Sequence, residues 1–108
     1  MGTKFGTTRK AQRFSLSIPA VVSTQNGGGA LRYYRMHTRD ISSNGAFFET
    51  GQPLTVGTRL QVNLFLKFGQ GPRRQETHVQ VMGTVVRTTP AGVAVRFGED
   101  FQISPLLQ

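Results

Sequence analysis

The sequence predicts an all-β chain that closes as a small antiparallel barrel, on three observations. Apolar and polar residues alternate with a period of two through most of the chain, and glycine- and proline-rich turns separate the alternating runs. No window of about 11 residues repeats its apolar positions at helical spacing. Five or six strands fit this pattern, and closing them on themselves removes the exposed edges that so small an open sheet would carry.

The first run places Phe14, Leu16, Ile18, Ala20 and Val22 on one face. Pro19 lacks a backbone N–H, so an unpaired edge or a bulge is expected there. Gln25-Asn26-Gly27-Gly28-Gly29 then turns the chain back, and Leu31 to Ile41 is expected to pair antiparallel with the first run. Leu60, Val62, Leu64, Leu66 and Phe68 form the strongest periodic segment, a core strand ended by Gly69-Gln70-Gly71-Pro72. Val79, Val81, Gly83 and Val85 keep the same period up to a break at Pro90 to Gly92, after which Val93, Val95 and Phe97 complete a hairpin. Gly83, in mid-strand, marks a bulge or a sharp bend of the kind that turns a barrel corner. The expected organisation is a flexible segment at 1–8, one barrel domain at 9–98 and a tail at 99–108.

A chain of 108 residues falls within the size of one domain around one core. The absence of cysteine excludes disulfides and thiolate metal sites, and an intracellular protein is expected. No apolar run approaches the roughly 20 residues that cross a bilayer, and MGTKFGTTRK has no apolar stretch of the signal-peptide type. The net charge of +8 is concentrated early, because Lys4, Arg9, Lys10, Arg13, Arg32, Arg35 and Arg39 all precede the first acidic residue, Asp40. A one-signed surface of this kind raises the local concentration of anions, so an anionic partner is expected.

Side chains for catalysis are few. His37 and His78 occupy polar positions in strand-like runs and read as ordinary surface histidines. The five carboxylates are scattered except for Glu99-Asp100, so no acid–base pair, metal site or cofactor is expected.

Two segments carry more. Asp40-Ile41-Ser42-Ser43-Asn44-Gly45 can cap its own backbone in a tight turn, with Asn44-Gly45 suited to positive φ and Gly45 to close approach of backbone to a ligand. Arg9 and Arg13 bracket Lys10-Ala11-Gln12, and guanidinium groups grip phosphate oxygens bidentately, face the O6/N7 edge of guanine or stack on a purine. Taken alone, each has an ordinary reading as a strand-ending turn or a solvated basic tail. Arg35 and Arg39 have the same spacing, but within a strand four residues span about 13 Å and set both side chains in an extended row that does not converge. Arg9 and Arg13 precede regular structure and are free to curl onto one compact ligand, so they are the expected site.

In order and spacing, Arg9-Lys-Ala-Gln-Arg13 and then Asp40-Ile-Ser-Ser-Asn-Gly45 closely resemble RxxxR and D/NxSxxG, the two signature motifs of the PilZ domain family. Gly57 with its following strand, Gly83-Thr-Val-Val-Arg87 and Gly92-Val-Ala-Val-Arg-Phe97 look like the family's later strands. The resemblance implies a six-stranded antiparallel β-barrel that acts as a non-catalytic, cytoplasmic bacterial receptor for the second messenger cyclic di-GMP. Arg9 and Arg13 would contact phosphate and guanine, Asp40 and Ser42 would hydrogen-bond the ligand, and Gly45 would shape the turn. Lys10 and Ser43, inside the two motifs, belong to the same ligand-binding set. The N-terminal segment would close over the ligand. Two departures matter: Thr8 stands where many members have a further Arg, which leans toward one ligand per chain, and the 11 residues after Phe97 leave little room for a C-terminal helix. The downstream protein partner is not specified. Two alternatives rank below this reading. One is a small basic barrel that binds nucleic acid through Phe5, Tyr33 and Tyr34, and the other is a PilZ-like docking module that no longer binds ligand.

Overall fold

Strands that alternate between apolar and polar side chains must hide one face and pair along both edges. In the computed structural model, which describes residues 13–25, 31–52, 54–68 and 71–106, they do both by closing into a barrel. The strands are β1 (Pro19–Gln25), β2 (Leu31–Ile41), β3 (Gly45–Glu49), β4 (Arg59–Phe68), β5 (Gln75–Thr89) and β6 (Gly92–Leu106). Their order around the ring is β1-β2-β3-β6-β5-β4, every pair is antiparallel, and β4 returns to β1 through Ala20↔Leu64 and Val22↔Val62. The expected six-stranded barrel is therefore present. Among the described residues the only helical element is a 3-10 turn, Gly71–Arg73.

The inward residues of all six strands fill the interior. Phe48, Leu60, Val22, Val62, Val81, Val85 and Val93 are essentially inaccessible to water. Valine dominates because β-branched side chains suit the pleated, buried surface of a strand. The expected pairing of β1 with β2 runs from Pro19↔His37 to Gln25↔Leu31, while positions 26–29 of the turn between them lie outside the described residues. Gly83 sits at a register shift, as expected, and a Cβ there would lie 2.6 Å from Val95 Cγ1.

The start of the first strand differs from expectation. Ile18, Ala20 and Val22 are buried, but Phe14 and Leu16 are about half exposed, and the strand begins at Pro19. The cause is Thr38, whose buried hydroxyl accepts the Ile18 N–H at 2.9 Å and donates to the Leu16 carbonyl, while its own N–H donates to Ile18 O at 3.0 Å. A side chain thus takes the place of ladder bonds. Further out, Phe14 and Ile41 exchange two backbone hydrogen bonds of 2.9 Å, which seats Arg13 beside the end of β2.

The last strand also departs from expectation. Residues 101–106, read from the sequence as tail, continue β6 against β5 from Val81↔Phe101 to Glu76↔Leu106, beyond the boundary expected at 98. Between Val81↔Phe101 and Gly83↔Phe97, three residues of β6 stand opposite Met82 alone, which breaks the alternation that would have marked the strand.

Thr38→Val removes the hydroxyl and leaves the Ile18 N–H without its partner. The expected cost is about 1–3 kcal/mol in urea denaturation, together with faster amide exchange at Ile18, whereas a variant as stable as the parent would show that the hydroxyl is dispensable.

Candidate functional site

The site begins with a conflict of phase in β2. Met36 and Thr38 point into the core, so strict alternation would send Asp40 inward too. An unpaired carboxylate in an apolar interior would be very costly. The register avoids this: Thr38 pairs with Phe48 but Asp40 pairs with Phe47, so Arg39 is an extra residue in β2. This bulge turns Asp40 to the outer face with 18% of its side chain accessible. A second bulge in β5 does the same for Arg87, since Val85 pairs with Val95 but Arg87 pairs with Ala94.

The two bulges are joined by one row of outward residues. Asp40 of β2 pairs with Phe47 of β3, Phe47 with Ala94 of β6, and Ala94 with Arg87 of β5. Three strand spacings separate Asp40 from Arg87, about 14 Å. Small Ala94 beside Phe47 leaves an open groove of about 220 Å³, lined also by Arg13, Arg39, Ser42, Asn44, Gly45 and Arg96.

The turn after β2 is fixed by its own hydrogen bonds. Ser42 N–H donates to Gly45 O at 2.8 Å, the Ser42 hydroxyl accepts the Asn44 N–H at 3.1 Å, and Phe97 N–H donates to Asn44 O at 2.8 Å. Asn44 and Gly45 do not take the positive φ expected of them, since among the described residues only Gly57 and Gly71 do. Glycine is required at 45 for a different reason. A Cβ there would lie 2.2 Å from Val95 O, so the absent side chain lets β3 approach β6.

Charge is concentrated at one end of the row. Arg13 Nη1 lies 3.7 Å from Asp40 Oδ1, and Arg39 Nε lies 3.8 Å from Asp40 Oδ2. Arg39 Cζ also sits over the Phe47 ring, 4.0 Å from its centre. Both ion pairs exceed hydrogen-bond length and both guanidinium groups reach water, so each pair is worth at most about 1 kcal/mol and is easily exchanged. The arrangement suits recognition of an anion that also offers hydrogen-bond donors to Asp40.

Of the residues expected from sequence, Arg13, Asp40, Ser42 and Gly45 come together in the groove. Ser43 instead faces an adjoining hollow with Asn44, Arg96 and Phe97. Arg9 and Lys10 lie outside the described residues. Arg39 was expected to share an extended, non-converging row with Arg35, and both do face outward, with Met36 and Thr38 buried between them. Not foreseen was that the bulge sets Asp40 on the same face beside Arg39, while Arg35 stays in register opposite Val21 and is not among the groove's lining residues. Arg87, Arg96 and Phe47 were not foreseen either. The signal that could have found them is the inward phase of Asp40, which only an inserted residue can correct.

Neither histidine is among the groove's lining residues. His78 Nε2 is 2.7 Å from Asn63 Oδ1 and its ring stacks on Phe65, and no group of three potential metal ligands occurs among the described residues.

A family model described as the PilZ domain matches residues 7–105. No curated protein matches the chain. Among solved structures, the chain is similar to the crystal structure of the PilZ domain of CeSA from a cellulose synthesizing bacterium, with a TM-score of 0.63 and 18% identity over 83% of each chain. At that identity the likeness is one of fold.

Gly45→Ala forces β3 away from Val95. A loss of about 1–3 kcal/mol in denaturant unfolding is expected, with faster amide exchange at Phe97. Unchanged values would mean that β3 can retreat freely.

Proposed function

The chain belongs to the PilZ domain family, whose members generally bind cyclic di-GMP, and from that premise we propose that it is a non-catalytic cyclic di-GMP receptor acting in the bacterial cytoplasm. The observation that carries this reading is the convergence of Arg13 and Asp40, 27 positions apart in sequence, in one groove with Ser42 and Gly45.

Each group has a counterpart on the ligand. The Asp40 carboxylate accepts from guanine N1–H and N2–H, and the Ser42 hydroxyl adds a further hydrogen bond. Arg13 exchanges its long contact with Asp40 for a shorter, bidentate grip on phosphate. Arg9 and Lys10, four and three positions ahead of Arg13, join it as the N-terminal segment closes over the ligand, and that closure is the output. Arg87 and Arg96 add positive charge from β5 and β6. Nucleic acid is less well served: Tyr34 packs partly against the core, and of the three proposed stacking groups only Tyr33 is both described and well exposed.

Titration calorimetry tests the reading. The parent chain is expected to bind one cyclic di-GMP and to prefer it strongly to GTP and cyclic di-AMP at moderate salt. Arg13→Ala should weaken binding about 10- to 150-fold, from roughly 1.5–3 kcal/mol for a charged hydrogen bond, and Arg35→Ala should leave it near the parent value. Equal, small losses at both arginines would reduce the groove to diffuse charge.

A further inference from the structure

Arg39 is the arginine most firmly held in the groove, and the motif resemblance gives it no role. Its guanidinium has two neighbours, the Phe47 ring 4.0 Å away and Asp40 Oδ2 at 3.8 Å from Nε. Phe47 is only 4% exposed although it lies outside the core cluster, and its ring edge is so close to β6 that a Cβ at Gly92 would meet it at 2.9 Å. Half of the Arg39 side chain, 51%, remains accessible, and it lines the groove.

A planar cation over a ring has one face covered and one face free, and the free face accepts a second flat partner. Resting on the cyclic di-GMP reading, we infer that Arg39 is a binding residue in its own right. Its free face stacks a purine of the ligand, giving three layers of Phe47, guanidinium and base. Stacking separates the duties of the two arginines beside Asp40. Arg13, 71% exposed and tied only to the carboxylate, can leave for a phosphate. Arg39 stays, because moving it would uncover Phe47. The bulge supplies this arrangement, since a β2 without the inserted residue would not offer Arg39 and Asp40 to one groove.

Arg39→Lys is the test, because it keeps the charge and removes the plane. Cyclic di-GMP affinity is expected to fall about 5- to 30-fold with the melting temperature unchanged. In the parent chain, the Arg39 Nε–H resonance, assigned by its disappearance in Arg39→Lys, should move upfield on ligand addition through the ring current of the base. Parent-like affinity in Arg39→Lys overturns the inference and leaves the receptor reading intact. A loss of affinity without the ring-current shift also overturns it, and assigns Arg39 to holding Asp40. Failure of the parent chain to bind cyclic di-GMP overturns both.

Discussion

A filled apolar interior is the constraint from which the groove follows. Phe48, Leu60 and the buried valines leave no place for a charge, yet β2 must carry Asp40 at the position where its next inward side chain would fall. One inserted residue resolves the conflict by shifting the phase, and a second insertion at Val86 does the same for Arg87. Because the ring order places β3 and β6 between β2 and β5, both displaced charges flank the same outer row, with Phe47 and Ala94 as its floor. Core packing and site geometry are thus one solution to one problem.

The same strand couples stability to the placement of the N-terminal side. Thr38 faces the core, yet its hydroxyl and N–H bind the backbone of the segment that precedes β1. Three residues on, Ile41 fixes Phe14 with two backbone bonds, so Arg13 arrives beside Asp40 through contacts made by β2 itself. A change that loosened Thr38 would reach the groove through backbone, with no charged residue altered. The Arg13 contact is weak because it is exposed, but its position is not left to chance.

The strands and the pair of motifs were legible because both are written in local spacing. Leu60, Val62 and Leu64 alternate and are buried, and Arg13 and Asp40 belong to short patterns that need no knowledge of register. What escaped depends on residues that interrupt the period. The approach of Arg39 to Asp40 escaped because a period of two cannot count an insertion and sets the two on opposite faces. Residues 101–106 looked like tail because Gly98, Glu99 and Asp100 stand opposite a single residue, Met82. Phe14 and Leu16 alternate correctly but are exposed, in a segment where a threonine hydroxyl twenty-odd positions away bonds Leu16 O and Ile18 N–H in place of a ladder and Phe14 pairs only in an isolated bridge to Ile41. At Gly45 the positive φ expected from composition is absent, and the structure instead needs the missing Cβ.

The balance of charge in the groove bears on how strongly it can respond to a ligand. Four arginines, Arg13, Arg39, Arg87 and Arg96, share one carboxylate, Asp40. The two contacts that Asp40 makes are long and exposed, so they offset little of the mutual repulsion among the cations. Repulsion among like charges in one groove is moderated by salt over a distance of about 10 Å. An anion that enters lessens the repulsion and adds its own bonds, and the folded state gains about 2.7 kcal/mol when the ligand is at a hundred times its Kd. A groove with a carboxylate for every arginine would be more stable when empty and would have less to gain on binding. On the proposed receptor reading, the shortage of acidic partners around Asp40 is therefore what would let so small a site, built on four strands of the barrel, favour a phosphate-bearing ligand.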